Sequence, residues 1–196
     1  MKKFLITLII ILIPVKSFSL IEVDITRGNL NPLPIAVSPL SIDEESRKNF
    51  ENILKKKNIG SEISSIVENN LKVSGLFNPL NKDAFLQEPD IANLKPRFED
   101  WNLIKAQALI TGKVSYVEEK LRVEFRLWDV LAGKEMMALA FTTVPNNWRR
   151  VGHIITDKVY ERLTGEKGYF DTRIIYVAEE GPKTQRVKKL AIMDQD

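Results

Sequence analysis

Within residues 20–26, the apolar residues Ile21, Val23 and Ile25 alternate with the polar residues Glu22, Asp24 and Thr26. This period of two predicts a β-strand with one apolar and one polar face. A strand near a chain terminus can pair with its own sheet or be lent to the sheet edge of another protein. A plain edge strand or a loose tail is the alternative interpretation of the same pattern.

The next segments predict one strand and two helices. A short apolar run at residues 35–40 lies between prolines and is typical of a strand. Ser41 precedes Glu44 by three residues, a capping box for a helix that carries Phe50 and ends near residues 58–60. Ser61 is the expected N-cap of a second helix, which Gly75 terminates.

Three strands are predicted in the middle of the chain. Residues 78–97 are polar and contain three prolines, so we expect mostly loop there, followed by a helical turn at residues 99–105. Residues 107–117, 121–128 and 135–144 then predict an antiparallel meander with short turns. The middle strand alternates and should have one solvated face, whereas the apolar third strand should be more deeply covered.

A last helix is expected from Asn146 or Asn147 to Gly165, and two further strands at residues 173–178 and 186–193. Two strands are not stable alone, so we expect them to begin a second, all-β domain that continues outside the chain. The fold class is therefore α/β (α+β): a two-layer domain with a mixed sheet, followed by the first strands of another domain. The expected core contains Ile63, Val67, Leu71, Val123, Phe125, Leu127, Trp148 and Ile155.

The first nineteen residues have the parts of a secretory signal peptide. Lys2 and Lys3 precede an apolar run at residues 4–13, and Ser17 and Ser19 are small residues suited to cleavage after Ser19. An uncleaved anchor is the alternative, but the run is about half the roughly 20 residues that a spanning helix needs. No later segment has a comparable run, so we expect an exported protein without a transmembrane segment after cleavage.

Composition excludes several kinds of chemistry. The 29 basic and 26 acidic residues give a net charge of +3, and the surplus lies in the predicted signal peptide, so nucleic acid is not an expected partner. The chain has no Cys and one His, which excludes thiol nucleophiles and zinc sites with several cysteines or histidines. We therefore expect no metal site and no cofactor.

No catalytic constellation emerges from the remaining residues. His153 lies opposite the apolar face of the last predicted helix, so we expect it to point away from the core and to serve an interdomain or surface polar role. The acidic pairs Glu118-Glu119 and Glu179-Glu180 fall in predicted turns, where carboxyl groups lack the burial that raises a catalytic pKa. The sequence predicts no catalytic residue.

Several strings are specific enough to suggest a family. Residues 34–39, 66–80, 101–114 and 149–180, the last reading RRVGHIITDKVYERLTGEKGYFDTRIIYVAEE, resemble the TolB family of the Tol-Pal system of Gram-negative bacteria. The resemblance implies a signal peptide at residues 1–19 and an N-terminal α/β domain at residues 20–165. Residues 166–196 would then be a linker and the incomplete first blade of a C-terminal β-propeller.

The resemblance also implies a function. TolB proteins are non-enzymatic periplasmic adaptors that link inner-membrane TolA and outer-membrane Pal, for outer-membrane integrity and invagination during cell division. Pal would bind the propeller, outside this chain, and TolA the mature N-terminus, which matches Ile21, Glu22, Val23, Asp24, Ile25, Thr26, Arg27 and Gly28. The alternative function is a periplasmic hydrolase whose site is completed by the missing C-terminal domain.

Overall fold

The structure is a computed structural model that describes residues 31–194. The predicted signal peptide and the predicted first strand lie outside the described residues. The helices are α1 (Glu44–Leu54), α2 (Ile59–Val73), α3 (Pro89–Leu94), α4 (Phe98–Leu103) and α5 (Trp148–Thr164). The strands are β1 (Leu33–Val37), β2 (Ser41–Ile42), β3 (Phe77–Pro79), β4 (Ala108–Val117), β5 (Lys120–Asp129), β6 (Lys134–Thr143), β7 (Arg173–Glu180) and β8 (Val187–Asp194).

One mixed sheet organises the domain. Its order is β3-β1-β4-β5-β6, and β2 also pairs with β4. β1 runs parallel to both β3 and β4, whereas β4, β5 and β6 form the antiparallel meander that the alternation predicts. The mixed sheet of the expected fold class is therefore confirmed.

The first strand of this sheet differs from the prediction in its bounds. β1 begins at Leu33 and ends at Val37, and the chain returns to the sheet only at β2. Ser38 still donates its N–H to the carbonyl of Ile110. Pro39 has no N–H to continue the ladder, which explains why the apolar run at residues 35–40 is not one strand.

The N-caps of the two long helices that follow lie two and three residues away from the expected positions. The Asp43 carboxylate, not Ser41, accepts the N–H of Ser46 at 2.8 Å and begins α1. The N-cap of α2 is Asn58 and not Ser61. The side-chain oxygen of Asn58 accepts the N–H of Ser61 at 3.2 Å. Ser41 is occupied in β2, where its backbone pairs with β4, so the capping-box prediction is wrong.

The main core lies between the sheet and the layer formed by α1, α2 and α5. All eight residues of the expected core are buried there. α2 approaches the β1–β2 connection so closely that a Cβ on Gly60 would collide with the carbonyl oxygen of Leu40. Gly60 is needed here because it has no side chain, and not because its backbone angles are unusual.

The segment between β3 and β4 covers part of the opposite face. Trp101 of α4 is 1% exposed and packs with Leu109 of the sheet and Ala92 of α3. The prediction of mostly loop at residues 78–97 is wrong in part, because this segment contains β3 and α3. Both elements are short, and Pro89 occupies the first turn of α3, where its missing N–H costs nothing.

The expected deep burial of the third meander strand is wrong. β6 lies at the end of the sheet order, and most of its residues are exposed or half-buried. Apolar composition predicted a more deeply covered strand, but α5 covers only part of one face and no described strand pairs with the outer edge.

β7 and β8 form a second, separate two-stranded sheet. They pair antiparallel from Arg173 and Asp194 to Glu180 and Val187, as the two predicted strands suggested. Within residues 31–194, no helix has both the length and the apolar character needed to cross a bilayer.

Candidate functional site

His153 lies on α5 and faces α2, not the solvent. It is 3% exposed, so the expectation that it points away from the core is wrong. Its Nδ1 accepts a hydrogen bond of 2.9 Å from the Asn70 side-chain amide of α2. Because an amide nitrogen can only donate, this contact places the proton of a neutral imidazole on Nε2. The expected interdomain role of His153 stays a prediction.

Two neighbouring contacts complete this buried polar cluster. The Asn70 amide also donates to the Thr156 hydroxyl at 3.2 Å, and that hydroxyl donates to the carbonyl of Gly152 at 2.9 Å. α2 and α5 run in the same direction here, because Ile66 contacts Gly152 and Asn70 contacts His153 and Thr156 further along both helices. Because His153 is buried in the contact between these two helices, its position does not support the alternative function of a hydrolase.

The linker after α5 is bound back onto that helix. Gly165 has a φ of 75° and ends α5. Beyond it the chain folds back, and the Asp157 carboxylate of α5 accepts the backbone N–H groups of Phe170 at 2.7 Å and Asp171 at 3.1 Å. A Cβ on Gly168 would collide with Asp157, so glycine is needed for this close approach. The carboxylate therefore sets the direction in which the chain leaves the domain.

Side chains reinforce the same attachment. Asp171 forms a bidentate ion pair with Arg150, with contacts of 3.0 and 3.1 Å to Nε and Nη2, which raises the pKa of Arg150. Phe170 is 2% exposed and packs edge-on against Tyr160, whose pKa is raised mainly by burial. We refer to residues 166–172 as the anchored linker.

Sequence reasoning missed the residues that make this attachment. In the sequence, Asp157 looks like an ordinary polar residue of a helix. Asn70 is one of two adjacent asparagines, and nothing in the pattern distinguishes it from Asn69. The Gly168 position together with the aromatic pair Tyr169-Phe170 was the available signal, since an apolar pair soon after a helix end needs a surface to cover it.

A small polar cavity of about 140 Å³ lies where the start of α5 meets the base of the second sheet. Its lining includes Asn146, Arg149, Arg150, His153, Asp171 and Arg173. Arg150 and Asp171 satisfy each other there, and no group of three or more potential metal ligands occurs in the described part of the chain. The arrangement is suited to joining two units.

Only the first acidic pair lies in the turn that the sequence predicts. The second pair, Glu179-Glu180, lies in strand β7, so its predicted turn is wrong. Glu118 and Glu119 form the two-residue connection between β4 and β5, with φ angles of 50° and 59°. Glu179 and Glu180 form exposed ion pairs with Arg186 and Lys189 across the second hairpin. Neither pair is enclosed, so neither has the surroundings of a catalytic dyad.

The predicted TolA-binding segment, residues 21–28, lies outside the described residues. The first described strand, β1, is an inner strand of the main sheet between β3 and β4, where the N–H of Leu33 donates to the carbonyl of Leu76 at 2.9 Å. The eight predicted site residues therefore stay a prediction.

Fold and site define an α/β domain of mixed sheet, joined through an anchored linker to a second, separate sheet. A comparison with protein-family models matches residues 21–136 to the TolB amino-terminal domain, more than half of the chain. The chain belongs to the TolB family.

Two relatives agree with this assignment. The Tol-Pal system protein TolB of Pelagibacter ubique is 82% identical over 189 residues, which are 96% of this chain and 42% of the relative. The crystal structure of TolB from Acinetobacter baumannii matches with a TM-score of 0.65 at 22% identity, over 89% of this chain and 39% of that chain, and supports the fold. The chain thus spans about two fifths of the length of these relatives.

Proposed function

We propose that this chain is the N-terminal part of a periplasmic, non-enzymatic adaptor of the Tol-Pal system. The observation that carries the proposal is the 82% identity to a Tol-Pal system protein TolB over nearly the whole chain. Residues 1–19 are the signal peptide, residues 20–165 the N-terminal domain, and residues 166–196 a linker and an incomplete first propeller blade.

The second sheet supports this division of the chain. Ile174 pairs with Met193 on one face, and Ile175 pairs with Ile192 on the other. All four are at least 45% exposed in the described structure. A hairpin that is apolar on both faces gains stability only when both faces are covered, which a complete blade between neighbouring blades provides.

We further propose that residues 21–28 bind TolA by strand addition, while the propeller binds Pal. In this mode the main chain of the added strand supplies hydrogen bonds, and Ile21, Val23 and Ile25 fill alternate pockets. The alternating pattern of residues 20–26 supports the proposal.

The test is calorimetric titration of the C-terminal domain of TolA into two versions of the chain, one starting at Leu20 and one at Asn29. We expect binding by the longer version alone. Val23→Asp should weaken binding at least tenfold, about 1.4 kcal/mol, because it introduces a charge on the apolar face. Thr26→Asp introduces the same charge on the polar face and is the matched control.

Two outcomes would contradict the proposal. Equal binding by both versions would locate the TolA site in residues 29–196. An equal loss with Val23→Asp and Thr26→Asp would mean that charge, and not the apolar face of a strand, controls the interaction. Circular dichroism melting of each variant checks that the folded domain is unchanged.

A further inference from the structure

We draw no further inference here: the strongest candidate, the polar cavity of about 140 Å³ between the start of α5 and the base of the second sheet, belongs to the site already described, where Arg150 and Asp171 bind each other.

Discussion

Asn70 and His153 are 83 residues apart in the chain and are joined by a buried hydrogen bond of 2.9 Å. The bond connects α2 to α5 in the middle of the layer that covers the sheet. Buried polar groups that are satisfied by one another favour a single alignment of the packed helices, because sliding either helix would leave donors and acceptors without partners.

Replacing Asn70 should therefore be costly. We expect Asn70→Leu to lower the free energy of unfolding by about 1–3 kcal/mol, since it removes two hydrogen bonds and leaves buried acceptors behind. Urea denaturation measures the loss. Asn69→Leu, at the exposed neighbouring position, should change stability by less than about 0.5 kcal/mol. Similar losses for the two variants would contradict a special role of Asn70.

Asp157 should control the order of the anchored linker. We expect Asp157→Ala to increase hydrogen exchange at the amides of Phe170 and Asp171, which lose their shared acceptor. The free energy of unfolding should fall by about 1–3 kcal/mol. Glu161→Ala removes an exposed acid from the same helix and is the control. Unchanged protection of the two amides would show that aromatic packing alone secures the linker.

The cap of α1 should make stability depend on pH in the acidic range. The hydrogen bond from Ser46 N–H to the Asp43 carboxylate lowers the pKa of Asp43 below its ordinary value of 3.8. A carboxyl group whose pKa is lower in the folded state stabilises the fold above its unfolded pKa, and loses that contribution as the pH falls through the folded pKa. The effect should therefore appear below about pH 4.

Urea denaturation at pH 7 and near pH 2 tests this dependence. Asp43→Ala should cost about 1 kcal/mol at pH 7, as for other N-caps, and less at the acidic pH. Glu51→Ala removes a carboxylate from an exposed position of the same helix and should show a smaller change between the two pH values. Equal losses from Asp43→Ala at both pH values would mean that its ionisation does not contribute.

Asn58 and Ser61 offer a direct test of the start of α2. Asn58→Ala should reduce stability by about 1 kcal/mol, because the Asn58 side chain accepts the N–H of Ser61 in the first turn of the helix. Ser61→Ala should have little effect, since alanine is the better helix former within the first turn. Thermal melting of both variants distinguishes the two positions. A larger loss of stability with Ser61→Ala would contradict Asn58 as the N-cap and support Ser61, the cap that the sequence pattern predicts.

The sequence alone predicted those helices and strands in which apolar residues recur at a regular spacing. The alternation of β5, with Val123 and Phe125 inward, and the helical spacing of Ile63, Val67 and Leu71 correctly predicted a strand, a helix and the face that each one buries. These features depend on neighbours in the chain, because a period of two or of 3.6 already places apolar side chains on one side. The distinctive strings likewise predicted the TolB family from the sequence alone.

Other features depend on what lies beside each element in space. Apolar composition could not reveal that β6 is the last strand of the described sheet, nor that β1 ends before Pro39 and the chain rejoins the sheet only at β2. His153 lies opposite the apolar stripe of its helix, yet it is buried because α2 supplies Asn70 to satisfy it. The sequence by itself determined the local periods and the family. The tertiary structure decided which polar side chains find partners and which apolar strand, within residues 31–194, has a neighbouring strand on one side only. Both depend on contacts between residues far apart in the chain.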